Sequence, residues 1–295
     1  MVKVGISLMR AQELTGGDFS GVLELAQLCD SMGVDEVLMS DHVAISKTGY
    51  ISKGHFPYAI DFPGWYEPMS VLSAVAAVTK KVKLSTNVMV ATLRPSILLA
   101  KQIATLDVIS NGRVDISFGV GWQKEEFDAA NIPFEGRYRH VEEQIKVCRT
   151  LWGGAPASFE GERVKFKDFY SLPLPVQGAN IPISLGVLGT PHNIARMGRV
   201  ADGWFPSPLN GTEIAAGVQA LKKAFVENGR DPEKAIIRTA VKMGTPGSMT
   251  IDQQFEGVDT LINAGATTVV GLPLVTCKTK ADWKPYIERV LRLKK

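Results

Sequence analysis

Strand-like and helix-like patterns alternate about eight times along this 295-residue chain. Because neighbouring parallel strands need helical crossovers between them, this alternation predicts a parallel α/β fold. Eight such units can close into a (β/α)8 TIM barrel without free edges, and we favour this over an open doubly wound sheet. The dinucleotide-binding loop G-x-G-x-x-G, typical of that alternative, does not follow the first strand. The predicted strands are residues 2–8, 35–41, 82–90, 114–120, 181–187, 201–205, 236–244 and 267–272.

Two long segments interrupt the alternation and predict insertions in a single domain covering residues 1–295. Residues 42–63 follow the second strand, and residues 153–180 precede the fifth, with a hairpin expected over 158–166. Long ordered loops in a compact domain are commonly lids or binding loops, although they can also be decoration or oligomer contacts. We expect the first insertion to cover the substrate with Phe56, Tyr58 and Phe62.

Composition excludes several classes of protein. A net charge of +3, with 45% hydrophobic and 21% charged residues, is typical of a soluble globular protein. Because the basic residues are dispersed, we do not expect the protein to bind nucleic acid. Because the apolar runs are short, we do not expect it to span a membrane. Three distant cysteines and the histidine spacing predict neither a disulfide framework nor a metal site. The chain starts with a strand pattern rather than a signal peptide, so we expect a cytoplasmic protein.

Candidate catalytic residues follow the second and fourth predicted strands, where a TIM barrel carries its active site. The second strand ends in Asp41 and His42, and histidine can hold or pass a proton near neutral pH. Their side chains should point to opposite faces, and a turn-capping aspartate beside a packed histidine is an equally good interpretation. The fourth strand is followed by the aromatic residue Trp122 and the two carboxylates Glu125 and Glu126.

Two further strands contain candidate binding residues. Asn87 is poor strand material, which indicates a polar ligand, an irregular backbone or a bond to a neighbouring strand. The fifth strand continues through Gly186, Val187 and Gly189 to Thr190, a good helix N-cap. Glycines before a helix N-terminus allow backbone N–H groups to approach a phosphate, although a plain strand-to-helix connection would have the same pattern.

Taken together, these segments resemble the bacterial luciferase-like monooxygenase superfamily. Within it, the chain is most similar to the actinobacterial branch of oxidoreductases that depend on coenzyme F420, a deazaflavin. The matching segments are Asp41-His42, Thr86-Asn87-Val88, residues 99–107 and 110–113, Gly119 to Trp122 with Glu125-Glu126-Phe127, and residues 200–204.

The resemblance implies that a flat redox ring lies at the carboxyl mouth of the barrel, with a non-prolyl cis peptide at Asn87–Val88 behind it. The phosphate of the cofactor would lie near Gly186, Val187, Gly189 and Thr190. His42 would lie beside the redox carbon, with Trp122 and Glu125 lining the same pocket.

The implied activity is hydride transfer between coenzyme F420 and a small organic substrate. His42, held by Asp41 or a neighbour, would exchange the proton, and Glu125 would be a second acid or base. The alternatives are an FMN-dependent monooxygenase, a flavin- or deazaflavin-binding protein without turnover, and a metal-dependent barrel lyase or hydrolase. The resemblance also implies a homodimer.

Overall fold

A ring of parallel strands forms the centre of the protein in a computed structural model that describes residues 1–47, 65–206 and 211–294. A separate antiparallel hairpin lies within residues 153–180, the second predicted insertion. The strands are β1 (Lys3–Ser7), β2 (Glu36–Met39), β3 (Lys83–Thr86), β4 (Met89–Val90), β5 (Ile116–Gly119), β6 (Ala157–Glu160), β7 (Lys165–Phe169), β8 (Ile183–Gly186), β9 (Gly203–Trp204), β10 (Ile236–Ala240) and β11 (Thr268–Gly271).

The order of neighbouring strands is β3-β2-β1-β11-β10-β9-β8-β5-β4. β3 and β4 are two halves of the predicted third strand: β3 pairs with β2 and β4 pairs with β5. The peptide bond between Asn87 and Val88, in the gap between the two halves, is cis. A parallel bridge from Leu84 to Val114 joins β3 to the residues before β5. The predicted TIM-barrel fold class is therefore confirmed.

Helices pack outside the ring between successive strands. They are α1 (Ser20–Met32), α2 (Pro68–Val78), α3 (Ser96–Ile109), α4 (Lys124–Ala129), α5 (Arg137–Gly153), α6 (Pro191–Val200), α7 (Gly211–Glu227), α8 (Ile251–Phe255), α9 (Val258–Asn263), α10 (Pro273–Thr276) and α11 (Trp283–Leu291). Gly257 has a φ of +81° and separates α8 from α9. A right-handed helix cannot continue through that backbone conformation.

A buried cluster of charges fills the barrel interior toward the amino ends of the strands. Arg238 in β10 places Nε 3.0 Å from Glu36 Oε1 and Nη2 2.6 Å from Asp115 Oδ1. Its Nη1 donates to Ser184 Oγ at 2.7 Å. Burial alone would lower the pKa of Arg238, but Glu36 and Asp115 raise it above its ordinary value. Paired charges therefore occupy this end of the barrel, and the opposite end carries the candidate site.

Candidate functional site

The structure brings His42 and Trp122, two of the predicted site residues, into contact at the carboxyl mouth of the barrel. The His42 ring makes edge contacts with two indoles, at centroid distances of 4.9 Å to Trp65 and 5.6 Å to Trp122. The histidine side chain is 8% exposed. Trp65 Nε1 also donates to Ser40 Oγ at 2.7 Å, which ties this indole to the end of β2. An imidazole between two aromatic walls is thus the central feature of the site.

We expected Asp41 or a neighbour to hold the histidine, and Asp41 does not. Its buried carboxylate accepts hydrogen bonds from Val90 N at 2.8 Å and from Arg94 Nη1 at 2.6 Å. Arg94 also bonds Glu67 Oε1 at 2.9 Å. Because side chains alternate along an extended segment, Asp41 and His42 point in different directions. Asp41 therefore ties the end of β2 to the third strand and lies outside the group of side chains around His42.

Glu126, rather than the predicted Glu125, is the carboxylate that contacts His42. Its Oε2 lies 3.3 Å from His42 Nδ1. Its Oε1 accepts hydrogen bonds from Val43 N at 2.6 Å and Ala44 N at 3.1 Å. Glu126 is only 3% exposed, whereas Glu125 is half-buried on the next position of α4. Adjacent helical residues project about 100° apart, so the phase of α4 decided which glutamate turned inward.

Gln123 is a second buried side chain that sequence reasoning missed. Its Oε1 accepts a hydrogen bond from Ser46 N at 2.7 Å, so Gln123 and Glu126 together bind the backbone of residues 43–46. The only indication in the sequence is that Gln123 and Glu126 are polar residues three positions apart at the start of a helix. A capping role for them within α4 would have had the same spacing, and only the fold shows that they bind another segment.

Asn87 and Val88 lie on either side of the cis peptide, and Asn87 N donates to the Met39 carbonyl at 3.0 Å, at the end of β2. Asn87 Nδ2 donates to Ser7 Oγ at 3.3 Å, while Asn87 Oδ1 is buried without a hydrogen-bond partner. A cofactor ring with N–H groups on its edge, as flavins and deazaflavins have, would satisfy such an orphaned acceptor. The residues at the mouth therefore fit a ring of that kind.

Two of the predicted phosphate-loop glycines have packing reasons of their own. A Cβ on Gly186 would lie 2.6 Å from a methyl of Val88, and a Cβ on Gly189 would lie 2.9 Å from the buried Trp204 ring. Val187 contributes its carbonyl, which accepts a hydrogen bond from Trp204 Nε1 at 2.8 Å. Packing alone thus explains why positions 186 and 189 are glycine. Phosphate binding at this loop stays a prediction.

Thr190 is confirmed as the N-cap of α6. Its Oγ1 accepts a hydrogen bond from Asn193 N at 3.4 Å, and Pro191 is the first residue of the helix. Residues 188–190 are exposed, so the N-terminus of α6 is open to solvent. This geometry is compatible with an anion at the helix start.

Over residues 1–47, 65–206 and 211–294, three or more His, Cys, Asp or Glu side chains do not converge on a point that could hold a metal ion. Within the same ranges, every helix is too short or too polar to cross a bilayer. Phe56, Tyr58 and Phe62, which we predicted to cover the substrate, lie outside the described residues.

The chain is similar in sequence to two bacterial proteins. An uncharacterized protein of Mycobacterium tuberculosis is 36% identical over 176 residues, which are 60% of this chain and 62% of the relative. The FMNH2-dependent dimethylsulfone monooxygenase of Pseudomonas putida is 27% identical over 77% of this chain and 60% of its own length. This chain thus spans less than two thirds of either relative.

A solved structure has the same fold over the full length. An F420-dependent secondary alcohol dehydrogenase, in complex with an F420-acetone adduct, superposes with a TM-score of 0.80 at 16% identity. The match covers 100% of this chain and 99% of the dehydrogenase. The family model described as luciferase-like monooxygenase matches residues 2–245. Because this match covers most of the chain, the chain belongs to the luciferase-like monooxygenase family.

Proposed function

We propose that this protein is an oxidoreductase that transfers a hydride between coenzyme F420 and a small organic substrate. The observation that carries the proposal is the histidine at the barrel mouth, which lies between two indoles with its Nδ1 on a buried carboxylate. A hydride transfer to or from a carbonyl, imine or alcohol also moves a proton, and a histidine is suited to that step near neutral pH.

The other side chains at the barrel mouth would bind the cofactor and shield it from water. When bound, the deazaflavin would supply the hydride acceptor or donor carbon. Trp65 and Trp122 would wall the ring and exclude water, Asn87 Oδ1 would accept a hydrogen bond from its edge, and Val88 would support its back. His42 would exchange the substrate proton. The exposed start of α6, at Thr190, would receive the phosphate.

Titration with each cofactor tests this proposal. We expect purified protein to bind F420 at least tenfold more tightly than FMN, measured by fluorescence quenching with oxidised and reduced forms of both. Reduced F420 should then be consumed with a member of a panel of ketones, enones and imines, or F420 reduced by alcohols, followed by absorbance. Tighter binding of FMN, or binding of neither cofactor, would reject the F420 assignment.

A flavin-dependent oxygenation is the second candidate, because the relative from Pseudomonas putida uses FMNH2. Deazaflavins lack the flavin chemistry with oxygen, so the two candidates differ in their requirement for O2. Consumption of O2 with reduced FMN and a substrate would favour the oxygenase. Cofactor binding with no turnover on any substrate would instead favour the non-catalytic binding protein that the sequence left open.

We also propose that a second copy of this chain covers an exposed apolar face. Nine large apolar side chains, each more than one third exposed, lie on α3 and on the segment that runs beside it: Ile97, Leu98, Val108, Ile109, Phe169, Tyr170, Leu172, Leu174 and Val176. The two elements are joined by hydrogen bonds from Gln177 to Asp107 and from Lys101 to the Leu172 carbonyl. On average about half of each side chain is exposed. At roughly 150 Å² per side chain, the lower end for aromatic residues, the nine together expose on the order of 650 Å², which is within one partner's share of a standard interface.

Acidic substitutions on this apolar face should dissociate the proposed dimer. We expect Leu98→Glu combined with Ile109→Glu to convert a dimer into a monomer, because burying two unpaired carboxylates costs several kcal/mol. Light scattering coupled to gel filtration measures the mass. Val226→Glu, on an exposed apolar residue of α7, is the matched control and should leave the mass unchanged. A monomeric unmodified protein, or a double variant that stays dimeric, would disprove this interface.

A further inference from the structure

We infer that Glu126 is a positioning residue that fixes the hydrogen of the neutral His42 ring on Nδ1, so that Nε2 is the atom that takes up the substrate proton. The inference rests on the proposed function for the role of Nε2. The assignment of the tautomer rests on the geometry alone.

The two oxygens of Glu126 have acceptor roles that their neighbours dictate. Backbone N–H groups can only donate, so the contacts with Val43 N and Ala44 N make Oε1 an acceptor. A carboxylate has no hydrogen to donate, so the 3.3 Å contact with His42 requires the hydrogen on Nδ1. In a neutral imidazole with Nδ1–H, the basic lone pair is on Nε2.

The backbone around the histidine is held from both sides, which keeps the ring in this orientation. On one side, Arg94 and Val90 N bind the carboxylate of Asp41. On the other side, Glu126 accepts from Val43 N and Ala44 N, and Gln123 accepts from Ser46 N. A ring fixed by a carboxylate at one nitrogen is the arrangement that allows the other nitrogen to work as a general base.

Glu126→Gln tests the inference because it conserves shape and reverses one hydrogen-bond role. The amide oxygen of the new side chain can still accept from Val43 N and Ala44 N, which turns its NH2 group toward His42. Nδ1 must then accept, and the hydrogen moves to Nε2. The protein has four histidines, so 15N NMR of histidine-labelled, untagged protein can assign His42 by its loss in a His42→Ala sample.

We expect Nδ1–H at His42 in the unmodified protein and Nε2–H in Glu126→Gln, with kcat reduced roughly 10–100-fold and cofactor affinity within about twofold. Glu227→Gln, at an exposed glutamate of α7, is the control and should keep the tautomer and kcat of the unmodified protein. Nε2–H in the unmodified protein would overturn the inference without requiring any variant to fold. Nδ1–H in a protein that binds neither F420 nor FMN would retain the tautomer assignment and reject the proposed function.

Discussion

Replacing Arg238 with methionine is expected to lower the free energy of unfolding by about 3–5 kcal/mol. The guanidinium bonds Glu36 and Ser184 and lies 2.6 Å from Asp115, and all of these groups are buried. Methionine has a similar length but no charge, so two carboxylates would remain in the barrel interior with Lys83, 3.5 Å from Asp115, as the described cation still paired to them. Breaking a buried pair from one side costs far more than replacing all of its members.

Urea unfolding followed by circular dichroism measures this change. Adding Glu36→Gln and Asp115→Asn to the Arg238 variant should restore part of the lost stability, since the unpaired charges are then removed. Arg139→Met is the matched control, because Arg139 is exposed and lies 3.8 Å from Glu162 in a surface pair. We expect the control to change stability by less than about 0.5 kcal/mol. An equal loss in both variants would contradict a structural role for the buried cluster.

Replacing His42 with alanine is expected to lower kcat by about 10²–10⁴-fold while cofactor affinity stays nearly intact. The imidazole is the titratable ring between Trp65 and Trp122, and alanine can neither accept nor donate the substrate proton. Trp65 and Asn87, which we propose to contact the cofactor ring, keep their own hydrogen bonds to Ser40 and Ser7.

Single-turnover and steady-state kinetics with F420, together with a binding titration, separate these two effects. His140→Ala is the control, because His140 lies on α5 outside the mouth, where burial and the nearby Arg163 lower its pKa. Unchanged kcat in the His42 variant would remove the proton-transfer role. A large loss of cofactor affinity would instead make His42 a binding residue.

The number, order and parallel direction of the barrel strands could be predicted from the sequence, because alternation of apolar periods is a local property of the chain. The N-cap at Thr190 could be predicted for the same reason. The boundaries agree less well: the predicted strands run up to four residues beyond the observed ends, since hydrogen bonding in the ring stops before the apolar pattern does.

Other features depend on the phase of one element against another, and the sequence left them open. Glu125 and Glu126 are chemically identical neighbours, and the rotation of α4 about its axis selected Glu126. Asp41 was an equally good candidate to hold His42 until the fold placed Arg94 and the backbone of Val90 beside it.

The sequence by itself determined a family and a barrel, together with the side chains available at the mouth, because periodicity and short motifs are written along the chain. Tertiary structure alone decided which acid faces the histidine, that Gln123 and Glu126 bind the following segment, and that Arg238 neutralises two carboxylates from distant strands. These pairs are 77 to 202 positions apart in the sequence. A hydrogen bond requires a distance of about 3 Å, and such residues come that close only when the barrel has closed.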